Sequence, residues 1–180
     1  MIDKILFWNI KSVKSQNAFE RLIEPHRRHH YSYIALLEPF QSPSELEQYR
    51  MKLGLQNAKA NCSAKIWIFW DDNWEEEGSS DTTQQLTMNF KISGTQDRFD
   101  VTTIYARCSA LERLELWEDL ECMTNQSCPW LMEGDFNTIV DDSEKLGGLP
   151  VSNLETRDFI QCINSCALNE LRFMGSVLPW

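Results

Sequence analysis

Trp130-Leu131-Met132-Glu133-Gly134-Asp135-Phe136-Asn137 is a mostly apolar run that ends in a glycine, a carboxylate and an amide. A short apolar run bounded by turn residues predicts a buried strand. Its last residues are polar, and loops at strand ends on a rigid scaffold are where sites form. Gly134 predicts a backbone turn that leaves room for a ligand to approach. Taken singly, Asp135 and Asn137 read equally well as ordinary turn residues.

The same pattern recurs toward the N-terminus. KILFWN (4–9) is an apolar run that ends at Asn9, and YIALLE (33–38) ends at Glu38. Both predict strands buried on two faces. RFDVTTIYA (98–106) predicts a strand with Tyr105 near its end, returning from QQLTMNFKI (84–92) through the turn SGTQD. Leu86, Met88, Phe90 and Ile92 alternate, so they share a face. KIWIFW (65–70) is strand-like, and DDNWEEEGSSDTT (71–83) reads as an acidic loop.

Helical spacing appears from Ser15 (Phe19, Leu22, Ile23, His26), at Leu46, Tyr49 and Leu53 before Gly54, and at Leu111, Leu114, Trp117 and Leu120. A last helix runs from Asn153 through Phe159, Ile160, Ile163 and Ala167. Ser44-Glu45-Leu46-Glu47 fits a capping box, and Gly54 a C-terminal stop. The order β-α-β-α, β hairpins, α-β-α predicts two sheets packed face to face with helices outside.

The chain has 180 residues, enough for one domain with a sizeable core. The net charge of −10 argues against a protein that coats nucleic acid by neutralising phosphates. It leaves room for an enzyme whose carboxylates are offset by divalent cations. The six Cys form no CxxC, and Cys162 and Cys166, one helical turn apart, read as core thiols. His26, His29 and His30 lie in HRRHH, which reads as the basic, solvated end of a helix or, less readily, as a metal cluster. Without a signal-peptide pattern or a membrane-spanning apolar run, the expectation is a soluble, intracellular protein, nuclear or cytoplasmic.

Together the strand-end residues make a coherent chemistry. Glu38 and Asp135 are hard oxygen ligands suited to Mg²⁺ or Mn²⁺. Asn9 and Asn137 are neutral amides able to hold a phosphate oxygen or orient a water, and Tyr105 is a possible donor to phosphate. In outline this is metal-assisted phosphoester hydrolysis.

At that combination the chain resembles the endonuclease/exonuclease/phosphatase family, the DNase I-like proteins. It is most similar to the endonuclease domain of plant non-LTR (LINE-type) retrotransposon polyproteins. The residues that carry the likeness are Trp8-Asn9, Leu37-Glu38, Ile104-Tyr105 with the helix ALERLELWEDL, and above all Gly134-Asp135-Phe136-Asn137 with Glu144-Lys145 and Gly147-Gly148-Leu149-Pro150. GSVLPW (175–180) resembles the aromatic motif that follows.

The resemblance implies a four-layer α/β sandwich over residues 1–180 and a DNA-nicking, Mg²⁺- or Mn²⁺-dependent phosphodiester hydrolase. It implies that Asp135 positions or deprotonates water and that Asn137 holds the phosphate. Tyr105 would support the phosphate, Glu38 would hold the metal with Asn9 beside it, and Trp180 would contact substrate. DNA is the implied partner, with a reverse transcriptase domain in a full-length polyprotein. Three departures stand out: Lys11-Ser12 where the family has Arg-Gly, Pro39 after the metal Glu, and, by Trp180, no later Asp and Ser-Asp-His motifs. These imply a domain short of its last strands and impaired in activity. The alternatives are an inactive remnant or binding module, and a small-molecule phosphomonoesterase of the same fold.

Overall fold

A computed structural model describes residues 4–124, 128–140 and 153–171. The chain divides into two compact units, Met1–Tyr105 with Cys128–Asp135, and Ala106–Ser127 with Phe136–Trp180.

The first unit is built on two four-stranded sheets. Sheet A takes β1 (Ile5–Asn9), β2 (Tyr33–Leu37), β3 (Asn57–Ala60) and β4 (Ile66–Trp70) in the order β1-β2-β4-β3. Sheet B takes β5 (Trp74–Asp81), β6 (Gln85–Ile92), β7 (Arg98–Tyr105) and β8 (Trp130–Asp135) in sequence order. β1 and β2 are parallel, as are β7 and β8; the other pairings are antiparallel.

Strand alternation sorts side chains into two layers. Tyr33, Ala35, Leu37, Ile66, Ile68 and Trp70 of sheet A meet Leu86, Met88, Phe90 and Val101 of sheet B. Ile34, Leu36, Trp67 and Phe69 face the other way, under Phe19 and Leu22 of α1 (Gln16–His29) and Tyr49 and Leu53 of α2 (Leu46–Leu53). β2 and β4 are therefore fully buried, as their unbroken apolar runs require. β1 is only half-buried, not buried on both faces as its composition suggests, because it is an edge strand.

Other expectations need revision. The acidic stretch 71–83 is largely strand β5, in which Trp74 alone is buried. Pairing with β6 and cations opposite the glutamates hold it: Lys59 with Glu76 at 2.6 Å, Arg98 with Glu77 at 2.6 Å and Lys91 with Glu75 at 3.8 Å. A charged row on an edge strand also discourages pairing with another chain. Strand β3 has no clear sequence signal, since NAKA is half-buried throughout. Ser44 does not cap α2. Ser42 instead caps a 3-10 turn, Pro43–Glu45, and α2 continues from it, because Pro43 suits a first helical position.

The second unit holds α3 (Ala110–Cys122) and α4 (Asn153–Ser165). Trp117 and Phe136 both pack on Phe159, with ring centroids 5.3 and 5.0 Å away. Leu111 is 77% exposed and Leu114 38%, while Arg113, Leu116, Trp117 and Leu120 are buried. The stripe is rotated from the expected one because Arg113 turns inward, where its Nη1 donates to the carbonyls of Arg107 and Cys108 at 3.0 and 2.8 Å. In α4 and the turn that follows it, Ile160 and Ala167 face solvent and Phe159, Cys162 and Cys166 are buried. Burial raises both thiol pKa values, so these cysteines are unreactive core residues.

Candidate active site

Four residues of the first unit close a ring at the strand ends. In sheet A, Asn9 ends β1 and is in register with Leu37, the residue before Glu38. In sheet B, Tyr105 ends β7 and is in register with Asp135, which ends β8. Two hydrogen bonds cross between the sheets: Asn9 Nδ2 donates to Asp135 Oδ2 at 3.1 Å, and Tyr105 Oη donates to Glu38 Oε1 at 2.5 Å. The parallel pairs β1–β2 and β7–β8 put all four C-terminal ends at one place, so residues up to 126 apart in sequence become neighbours.

The backbone around Glu38 is unusual. Glu38 and Phe40 have φ of 51° and 48°, flanking Pro39. Positive φ in a bulky residue costs about 1–3 kcal/mol and persists only where the surroundings impose it. Here the amide of Glu38 donates to the Lys65 carbonyl at 2.9 Å, and the Pro39 carbonyl accepts from Val13 at 3.0 Å.

Gly134 behaves differently from its sequence reading. Its φ is +151°, and a Cβ there would lie 2.2 Å from the Ile104 carbonyl oxygen. The space is taken by the backbone of β7, not left open for a ligand.

Asn137 belongs to the second unit, where its Nδ2 donates to the Ala106 carbonyl at 2.7 Å with φ at 48°. Trp180, Glu144, Lys145 and the Gly147–Pro150 motif lie outside the described residues.

The donor set fits a divalent cation. Asn9 Oδ1 is buried without a hydrogen-bond partner, an acceptor left without compensation on a side chain bonded to the Asp135 carboxylate. Among the described residues no group of three His, Cys, Asp or Glu side chains could hold a metal.

The histidines lie elsewhere. His26 is half-buried, not solvated; its Nε2 donates to the Leu53 carbonyl at 3.0 Å, and burial lowers its pKa. His29 ends α1 and His30 caps it, so the cluster is a basic helix terminus on the helix-covered side of sheet A.

Sequence reading missed a buried chain just inside the ring. Tyr33 Oη lies 3.1 Å from Thr103 Oγ1, which donates to Glu133 Oε1 at 3.2 Å. Burial pushes the Glu133 carboxyl up to about 8 and raises Tyr33 as well. Glu133 lies two residues before Asp135 on the inward face of β8, a signal that period-2 counting could have found. Lys65 was missed too: its ammonium lies 5.1 Å from the Phe40 ring centroid and 5.5 Å from that of Tyr105.

An apurinic-site endonuclease from Archaeoglobus fulgidus matches with a TM-score of 0.69 at 14% identity, over 91% of this chain and 70% of that one. A mannosyl-6-phosphatase from Bacteroides thetaiotaomicron matches at 0.63 and 11% identity, over 89% and 70%. An endonuclease/exonuclease/phosphatase family protein from the same organism matches at 0.57 and 12%, over 74% and 62%.

The fold is the DNase I-like α/β sandwich.

No family model matches the sequence, and no curated protein matches it. The chain spans roughly two thirds of the length of the structures it resembles. No helix among the described residues is long and apolar enough to cross a membrane.

Proposed function

We propose that this chain carries the site of a divalent-metal-dependent phosphodiester hydrolase acting on nucleic acid, derived from a LINE-type retroelement endonuclease. The observation that carries the reading is the ring of Asn9, Glu38, Tyr105 and Asp135, joined by the two hydrogen bonds between sheets. In a DNase I-like sandwich, a paired amide and carboxylate beside a second carboxylate suit attack of water on a phosphoester.

Asn9 fixes the Asp135 carboxylate through Nδ2, so that one oxygen is oriented and the group can accept the proton of the attacking water. Tyr105 does the same for Glu38. Glu38 and the free Oδ1 of Asn9 would hold Mg²⁺ or Mn²⁺, which when bound supplies positive charge to the phosphate. Asn137 is assigned the phosphate by the family resemblance. Fixing these groups before substrate arrives lowers the entropic part of the barrier.

The test is nicking of supercoiled plasmid by residues 1–180 with Mg²⁺ against EDTA. Slow, cation-dependent nicking is expected, slow because no histidine faces the ring. No cation-dependent product on any phosphoester would support an inactive remnant. A thermal melt tests the metal separately. Free Mg²⁺ at tenfold its Kd should stabilise the fold by about 1.4 kcal/mol, and Glu38→Gln should remove the shift.

A second reading is favoured by the structural match to a mannosyl-6-phosphatase. Phosphate release from sugar phosphates without plasmid nicking would select it.

A further inference from the structure

We propose that Phe40 and Lys65 form a one-nucleotide recognition subsite beside the strand-end ring, in which Phe40 stacks an unpaired base and Lys65 binds its phosphate. The inference rests on the reading that the site acts on nucleic acid, and it names the substrate class as a locally unpaired strand.

Lys65 stands at the head of β4, and its carbonyl accepts from the amide of Glu38 at 2.9 Å. It is therefore a backbone neighbour of the proposed metal ligand. Its ammonium is held between the rings of Phe40 and Tyr105, at 5.1 and 5.5 Å from their centroids. Cations held over aromatic faces keep their charge available on the open side.

Among the described residues, no carboxylate lies within ion-pairing distance of Lys65. Arg28, Arg50, Lys59, Lys91 and Arg98 are each paired with a glutamate. In a chain of net charge −10, a cation with aromatic rings and no carboxylate as its neighbours is a place for an anion.

Phe40 supplies the second half. It is 46% exposed, so its ring contributes little to a core. The backbone nevertheless holds it in a left-handed conformation, φ 48°, just after the buried Pro39. An exposed ring in an imposed conformation next to a cation has the form of a stacking platform with a phosphate contact.

One ring and one cation match one nucleotide. They cannot track a long backbone, which agrees with the acidic charge. A base inside a duplex is already stacked on its neighbours, so the ring selects an unpaired one.

The experiment measures binding in EDTA by fluorescence anisotropy, with residues 1–180 and an end-labelled short oligothymidylate. The comparison probe is an all-abasic oligomer of equal length and charge. The wild-type chain should prefer the base-bearing probe by roughly tenfold. Phe40→Ala should remove that preference and leave the salt dependence unchanged, and Phe40→Trp should retain the preference. Lys65→Gln should weaken both probes alike and reduce the salt slope by about 0.7, the share of one phosphate contact on a single strand. A wild-type chain without base preference, a Phe40→Ala variant that keeps it, or an unchanged slope in Lys65→Gln overturns the proposal. A chain that binds in this pattern but hydrolyses nothing overturns the hydrolase reading alone. One that nicks without base preference overturns the subsite alone.

Discussion

The two faces of sheet A differ in what happens at their ends. The face toward sheet B and the face under α1 and α2 are both lined by large apolar side chains, and the central strands β2 and β4 are buried on both. Among the described residues, the proposed site lies at the end of the face between the sheets. The rows of that face run out into Asn9, Tyr105 and Asp135, with Glu38 just beyond; one step inside they contain Thr103 and Glu133, which the hydroxyl of Tyr33 reaches from the other end of β2. The helix-covered face carries the histidines instead, and His26 is used there to satisfy a carbonyl of Leu53. Parallel neighbours whose strand ends coincide can gather side chains from distant parts of the chain, whereas a helix layer closes the other face.

The largest expected effect tests that division directly. Asp135→Ala should lower the nicking rate by about 10²–10⁴, as for loss of an acid–base or electrostatic group. His26→Ala should leave the rate unchanged and cost about 1 kcal/mol of stability through its lost hydrogen bond. Initial rates and urea melts of both variants check this. Equal losses of rate would mean that the helix-covered face takes part in the reaction.

Next comes the packing that brings the strand ends together. Gly134→Ala should destabilise the fold by about 2–5 kcal/mol, from strain at positive φ and collision with the β7 backbone. Gly94→Ala is the control, since Gly94 also has positive φ, 76°, but open space around it. It should cost about 1 kcal/mol. If both variants melt together, close approach of β7 and β8 is not what requires Gly134.

Much of this was legible in the sequence, for physical reasons that also set the limit. Apolar runs ending in polar residues mark strand ends, so Asn9, Glu38, Tyr105 and Asp135 could be singled out together. Apolar runs do not say which face carries the polar end, because Leu36 and Leu37 look alike in a string. β5 was hidden because its glutamates are held by Lys59, Lys91 and Arg98, contacts that are distant in sequence. Leu111 and Leu114 were misplaced because an inward arginine, satisfied by two carbonyls, has no hydrophobic signature. Gly134 was noticed, but its cause is Ile104 on the neighbouring strand.

The smallest effect separates the two faces by the sign of their pH dependence. Glu133 is raised to about 8 by burial, with the hydrogen bond from Thr103 opposing. An unfolded glutamate titrates near ~4.3. Between those values the folded chain holds a proton that the unfolded chain has lost, so stability falls as pH rises. This contribution is complete below the unfolded pKa and is gone once pH passes the folded one. His26 acts in the other direction: burial lowers its pKa, so its contribution is present above about 6.5 and lost as pH falls. Glu133→Gln cannot ionise and should remove only the alkaline loss. At pH 9 it should be more stable than wild type by about 1–2 kcal/mol, a discounted share of 1.36 kcal/mol per pH unit because β8 is a half-buried edge. At pH 5, just above the unfolded value, the difference should be smallest, and the acid limb set by His26 should be the same in both. Urea midpoints at pH 5, 7 and 9 decide it, and a variant that runs parallel to wild type across that range would mean that Glu133 is solvated in the folded chain.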